Sequence, residues 1–227
     1  RALMLVSGVT PPVNTGHVGF RLAPRLNAGG RLEDAAQGVR LLTATDDQEA
    51  ERIAAHLEEN NRTRQALEQE ITQQALDAIR REVDFSRDKA IVVMGESWNS
   101  GVIGLAAGRI CERYHWPTVV LSRSGDTAVG SCRSIPGVNI HAMLTQCKDL
   151  FQRFGGHEQA AGLTMDAALV PELKRRLSLA IAENCDPHCF IHMGEGKRVL
   201  PGDTLIHNGK RVAHGTFCGL RDHCERV

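Results

Sequence analysis

Ala90-Ile91-Val92-Val93-Met94-Gly95-Glu96-Ser97-Trp98-Asn99-Ser100-Gly101-Val102-Ile103-Gly104 is the stretch whose reading decides the fold. Its first residues, Ala90 to Met94, form a short apolar run that reads as a strand. A polar, glycine-bearing loop follows, and then a helical pattern that continues to about Tyr114. Strand, glycine loop and helix in that order aim free helix amides at whatever occupies the loop. Asn99 and Ser100 are suited to cap the helix or to donate to a phosphate, and they could serve as both. Trp98 either stacks on a base or anchors the core, and Gly101 completes the candidate ligand loop.

The same alternation continues outward. Thr118 to Ser122, Ala128 to Ser131 and Ala161 to Met165 read as strands; Gly101 to Tyr114, Asn139 to Arg153 and Ala168 to about Glu183 read as helices. The fold class is therefore α/β: residues 88–184 are expected to form a mixed sheet of about four or five strands flanked by helices. Its loops should gather the glycine-bearing motifs on one face. Upstream, residues 1–45 are rich in Gly, Pro and Asn and predict a short helix followed by an irregular, ordered connection, with a short helix from Asp34 to Leu42. Thr45 or Asp46 then caps a long connector helix over residues 46–84, whose apolar positions Ile53, Leu57, Leu67, Ile71, Leu76 and Ile79 are sparse among charges. At 1.5 Å per residue it would span roughly 55 Å, enough to link two domains.

Two further motifs carry chemistry. In Val129-Gly130-Ser131-Cys132-Arg133-Ser134-Ile135-Pro136-Gly137 the Arg133 guanidinium offers a planar fork for phosphate oxygens, with Ser131 and Ser134 as neutral donors. Arg133 could instead pair with a carboxylate. In Phe154-Gly155-Gly156-His157-Glu158-Gln159-Ala160-Ala161-Gly162 the paired glycines Gly155 and Gly156 allow positive φ and close approach by a ligand. His157 follows at once, placed to donate to a reacting phosphate. Arg21, Arg25 and Arg31 form a basic cluster that would line a DNA channel or brace a neighbouring domain.

These blocks, together with Gly16 to Leu32, occur in the order and at the spacing of RecJ, a single-strand-specific 5′-to-3′ exonuclease family of the DHH/DHHA1 phosphoesterase superfamily, which residues 16–184 resemble. Gly29 stands where the family pattern has alanine, and Cys132 where it has glycine, so that a side chain occupies a position of close backbone approach. The resemblance implies a long connector followed by a DHHA1 substrate-binding domain that grips single-stranded DNA, in a protein of DNA repair and recombination. It also implies Mn²⁺ or Mg²⁺ held by aspartates and histidines of a separate DHH domain, and single-strand-binding protein as a partner. No Asp-His-His run or Asp-x-Asp pair occurs in this chain, which starts at Arg1 without Met, so the expectation is a fragment, inactive alone. The alternatives are a phosphoesterase acting on oligonucleotides or nucleotides, or a non-catalytic nucleic-acid-binding module.

Composition neither advertises nor opposes this. Lys plus Arg equals Asp plus Glu at 27 each over 227 residues, so any nucleic-acid surface must be local. No apolar run approaches a membrane span and no cleavable signal pattern opens the chain, which makes the cytoplasm the expected home. Cys111, Cys132 and Cys147 read as reduced, buried small residues. The tail, residues 185–227, concentrates Cys185, His188, Cys189, His192, His207, His214, Cys218, His223 and Cys224. It lacks tight Cys-x-x-Cys pairs and so reads as aberrant or poorly ordered sequence, with a zinc site as the alternative.

Overall fold

The structure is a computed structural model that describes residues 1–190 and, beyond them, the backbone of four short strands, His192–Gly194, Lys197–Val199, Thr204–His207 and Lys210–His214. Of the tail ligands, the side chains of His192, His207, His214, Cys218, His223 and Cys224 lie outside the described residues. The chain divides into two compact units, Arg1–Glu70 and Ile71–Val227.

The first unit corrects the expected irregular connection. Residues 1–32 are largely helical: α1 (Ala2–Ser7), α2 (Thr15–His17), a π turn (Val18–Leu22) and α3 (Ala23–Leu32). Asn14 starts α2 by accepting from the His17 amide at 2.8 Å, and Pro24 sits in the first turn of α3, where its missing N–H leaves no bond unmade. Gly29 acts in α3 as a packing residue, since a Cβ there would lie 2.9 Å from the Asp34 carbonyl oxygen and 3.5 Å from Leu57. After α4 (Ala36–Thr43) comes α5 (Asp47–Glu82), 36 residues and about 54 Å long, capped by Asp46, whose carboxylate accepts from the Glu49 amide at 2.9 Å. Ile53, Ala54 and Leu57 are buried in its first half, and Ile71, Ala75, Leu76, Ala78 and Ile79 in its second.

The second unit is a five-stranded mixed sheet flanked by helices, as expected. Its elements are β1 (Ile91–Glu96), α6 (Ile103–Tyr114), β2 (Thr118–Ser124), β3 (Thr127–Arg133), α7 (Ile140–Thr145), β4 (Phe151–His157), β5 (Ala160–Asp166) and α8 (Val170–Asn184). The order is β1-β2-β3-β5-β4, with β1 and β2 parallel and the other pairs antiparallel. One expectation fails here: the helix over 139–153 stops at Thr145, and Phe151–His157 form an edge strand. A bulge between Phe151 and Arg153 explains why the spacing misled. It turns both Phe151 and Phe154 toward the same side, with ring centroids 5.4 Å apart, in a three-residue spacing that imitates a helix.

Alternation along the strands sets which helix covers which face. Ala128, Gly130 and Cys132 of β3, with Ala161, Leu163 and Met165 of β5, are buried on one face. Phe154 joins that face and stacks on His141 of α7 at 5.7 Å. On the opposite face α6 packs over β2 and β3, so that a Cβ added at Gly104 would meet the Ser131 hydroxyl oxygen at 2.9 Å and Arg133 Nη2 at 3.0 Å. Beyond α6 that face of β5 and β4 is open: Arg153, Gly155, His157 and Gly162 are exposed, and Ala160 and Thr164 half-buried.

Candidate nucleic-acid interface

Antiparallel register puts directly paired residues on one face, so the pairings of β3, β5 and β4 build the site row by row. The first row is Arg133, Ala160 and His157; the second is Ser131, Gly162 and Gly155; the third is Val129, Thr164 and Arg153. The middle row has almost no side chain. A Cβ added at Gly155 would meet nothing within 4 Å, and one at Gly162 only the Gly130 carbonyl at 3.8 Å. The result is a shallow backbone floor between an arginine and a histidine.

Arg133 is held in place by its own strand: Nη1 donates to Ser131 Oγ at 3.0 Å and to the Cys132 carbonyl at 2.8 Å. These neutral partners leave the guanidinium charge uncompensated, since among the described residues no carboxylate pairs with it. His157 closes the β4–β5 hairpin, and its Nδ1 accepts from the Gln159 amide at 3.3 Å. The neutral ring therefore carries its proton on Nε2, a donor available to a ligand.

Trp98, Asn99, Ser134 and Gly156 make contacts within the fold itself. Trp98 is only 9% exposed, its Nε1 donates to Gln74 Oε1 at 2.6 Å, and its ring lies so close over Gly95 that a Cβ there would be 2.1 Å away. Of the two roles left open for Trp98, the geometry favours the core anchor over the stacking platform. Asn99 accepts from the Gly101 amide at 2.9 Å, an Asx turn that shapes the loop before α6. Ser100 is exposed. This loop lies beside Ser122, whose hydroxyl donates to the Trp98 carbonyl at 2.6 Å, whereas Arg133 pairs with Thr118 at the other end of β2. Asn99, Ser100 and Gly101 are thus not brought to the Arg133–His157 row, and Gly104 is the residue of their block that reaches it.

Ser134 donates its hydroxyl to the Val138 carbonyl at 2.6 Å and its amide to the Gln159 carbonyl at 3.0 Å, holding the turn at Gly137. Gly156 has φ +148° and faces away from the floor, where an added Cβ would lie 2.4 Å from the Ala160 carbonyl. Cys132 also points away from it, fully buried, with its thiol pushed up to about 12 by desolvation. Its side chain therefore does not obstruct the floor. Cys111 and Cys147 are likewise buried free thiols. In the first unit Arg21 donates to the Ser7 carbonyl at 2.7 Å and Arg25 pairs with Glu58, so both brace their own unit. Arg153 escaped the sequence reading because 139–153 read as helix; the i, i+2 spacing of Arg153, Gly155 and His157 was the signal present.

A hard divalent cation needs several oxygen ligands, mostly carboxylates. The rows offer guanidinium, hydroxyl, imidazole and glycine backbone, and among the described residues no group of three or more His, Cys, Asp or Glu could hold a metal. The face does not fit Mg²⁺ or Mn²⁺.

Residues 87–183 match the DHHA1 domain family. The single-stranded-DNA-specific exonuclease RecJ of Bacillus subtilis is 40% identical over 184 residues, covering 80% of this chain and 23% of that protein. The protein of the same name from Escherichia coli is 36% identical over 178 residues, covering 75% and 31%. The crystal structure of RecJ from Thermus thermophilus in complex with Mg²⁺ superimposes with a TM-score of 0.73 at 33% identity, over 82% of this chain and 29% of that one. The chain thus spans about a quarter to a third of the length of these relatives. Fold and sequence agree that residues 87–183 are a DHHA1 domain, in a chain homologous over part of their length to the RecJ single-stranded-DNA-specific exonucleases.

Proposed function

We propose that this chain is the strand-gripping part of a RecJ-like, metal-dependent 5′-to-3′ exonuclease working on single-stranded DNA in cytoplasmic repair and recombination. Arg133 and Ser131 hold a backbone phosphate against the glycine floor, and His157 donates from Nε2 to the phosphate nearest the reaction. The metal ions named with the relatives' structures would be held by residues outside this chain, and single-strand-binding protein would deliver the substrate. The observation that carries the reading is the register itself: a guanidinium without a carboxylate partner and an imidazole donor share a row, beside Gly155 and Gly162 that leave backbone bare. Phosphate suits this arrangement because its oxygens accept bidentate guanidinium bonds and tolerate close backbone.

Arg133→Ala should weaken binding of this chain to an oligothymidylate by about 1–3 kcal/mol, the range for a charge-assisted hydrogen bond. The loss should be the same for other base sequences, and the slope of log affinity against log salt should fall by about 0.7, one phosphate contact on a single strand. An unchanged affinity and slope in the folded variant would return the domain to a scaffold role.

A further inference from the structure

We infer that the third row, Arg153–Thr164–Val129, is a second backbone subsite on the same open face, with Arg153 as its phosphate contact. This rests on the nucleic-acid reading of that face and adds the direction in which the strand runs across it. The register places Arg153 opposite Thr164 and Thr164 opposite Val129, on the side that carries Gly155, Gly162 and Arg133. The bulge after Phe151 is what permits this: both phenylalanines turn to the core side while Arg153 stays on the open one. Arg153 is exposed, and among the described residues no carboxylate pairs with it.

Charge and shape along the face agree. From Arg133 to Arg153 the path crosses two strand spacings and moves four residues along β5, roughly 10 Å by 13 Å, hence about 16 Å between the two backbones. Between these cations the surface is Ala160, Gly162 and Gly155, so nothing larger than a methyl group interrupts it. The acidic side chain next in register, Asp166 of β5, is turned back to accept from the Ala168 amide at 2.8 Å. Val129, 38% exposed beside Thr164, supplies apolar surface for a sugar or base edge next to the Arg153 phosphate. Two cations at the ends of a bare diagonal suit an extended polyanion with repeating charge, and single-stranded DNA laid diagonally from β3 to β4 is that ligand.

The test uses this chain, an oligothymidylate of about ten nucleotides and a salt titration. Arg153→Ala should weaken binding about five- to tenfold and lower the salt slope by about 0.7, while Arg153→Lys keeps the slope. The two sites are separate, so Arg133→Ala and Arg153→Ala should multiply in the double variant to within about twofold. A normal affinity for Arg153→Ala beside a real loss for Arg133→Ala would overturn the second subsite and leave the first standing. A double variant no weaker than Arg133→Ala alone would also overturn it, because Arg153 would then act only through Arg133. No loss in either single variant would remove the nucleic-acid reading of the face together with this extension.

Discussion

Gly155 and Gly156 are neighbours in the chain and opposites in what they can accept. Gly155 faces open space on the bare floor, whereas Gly156, at φ +148°, sits against the Ala160 carbonyl and Ala161 at 2.4 and 2.5 Å from where a Cβ would stand. The positive φ of Gly156 is the cause, since it directs the Cβ position into the neighbouring strand β5, whereas Gly155 faces solvent. Gly155→Ala should therefore cost less than about 0.5 kcal/mol in urea unfolding, because its methyl group meets nothing. Gly156→Ala should cost about 2 kcal/mol or more through a clash combined with a disfavoured φ. Equal costs would mean that the register assigned to β4 is wrong. Cys132 follows strand alternation: it replaces the expected glycine, yet its side chain falls on the buried face and leaves the ligand side unchanged.

At the scale of elements, β4 depends on what anchors the turn before it. Asp149 in that turn receives two hydrogen bonds from Arg176 of α8, at 2.7 and 2.8 Å, and Arg176 also donates to the Gln146 carbonyl at 2.8 Å. The guanidinium holds the Asp149 carboxyl below its ordinary value of 3.8. A carboxyl with a depressed folded-state pKa adds stability that is present above the unfolded value and lost as pH falls through the folded one. Asp149→Asn should thus lower stability at neutral pH and flatten the acid limb of the stability curve below about pH 4, read by thermal unfolding at a series of pH values. A variant whose acid limb keeps the parent slope would show that Asp149 is not one of the titrating groups. The Trp98–Gln74 hydrogen bond works alike within the second unit, tying the second half of α5 to the loop after β1 and keeping the indole in the core.

At the scale of the molecule, formal charge sums to zero, so nucleic-acid affinity rests on where a few cations converge. The chain by itself should bind a labelled single strand and leave it intact with Mn²⁺ or Mg²⁺, because the face presents donors for phosphate and no carboxylate set for a hard cation. Processive digestion by this chain alone would contradict that division of labour. Much of this was legible in the residues. Apolar runs and glycine loops determined the α/β class, α5 with Thr45 or Asp46 as its cap, and Arg133, Ser131, Gly155 and His157 as candidates, because local periodicity and side-chain chemistry act over a few residues. Tertiary structure alone decided which of them meet. Pairing between strands distant in the chain put Arg133 and His157 in one row on either side of Ala160, drew Trp98 into the core and set Gly156 against the Ala160 carbonyl. It also made a strand of Phe151–His157, whose bulge had hidden Arg153 behind a helical spacing. Register is set by contacts between residues far apart in sequence, and no local pattern contains it.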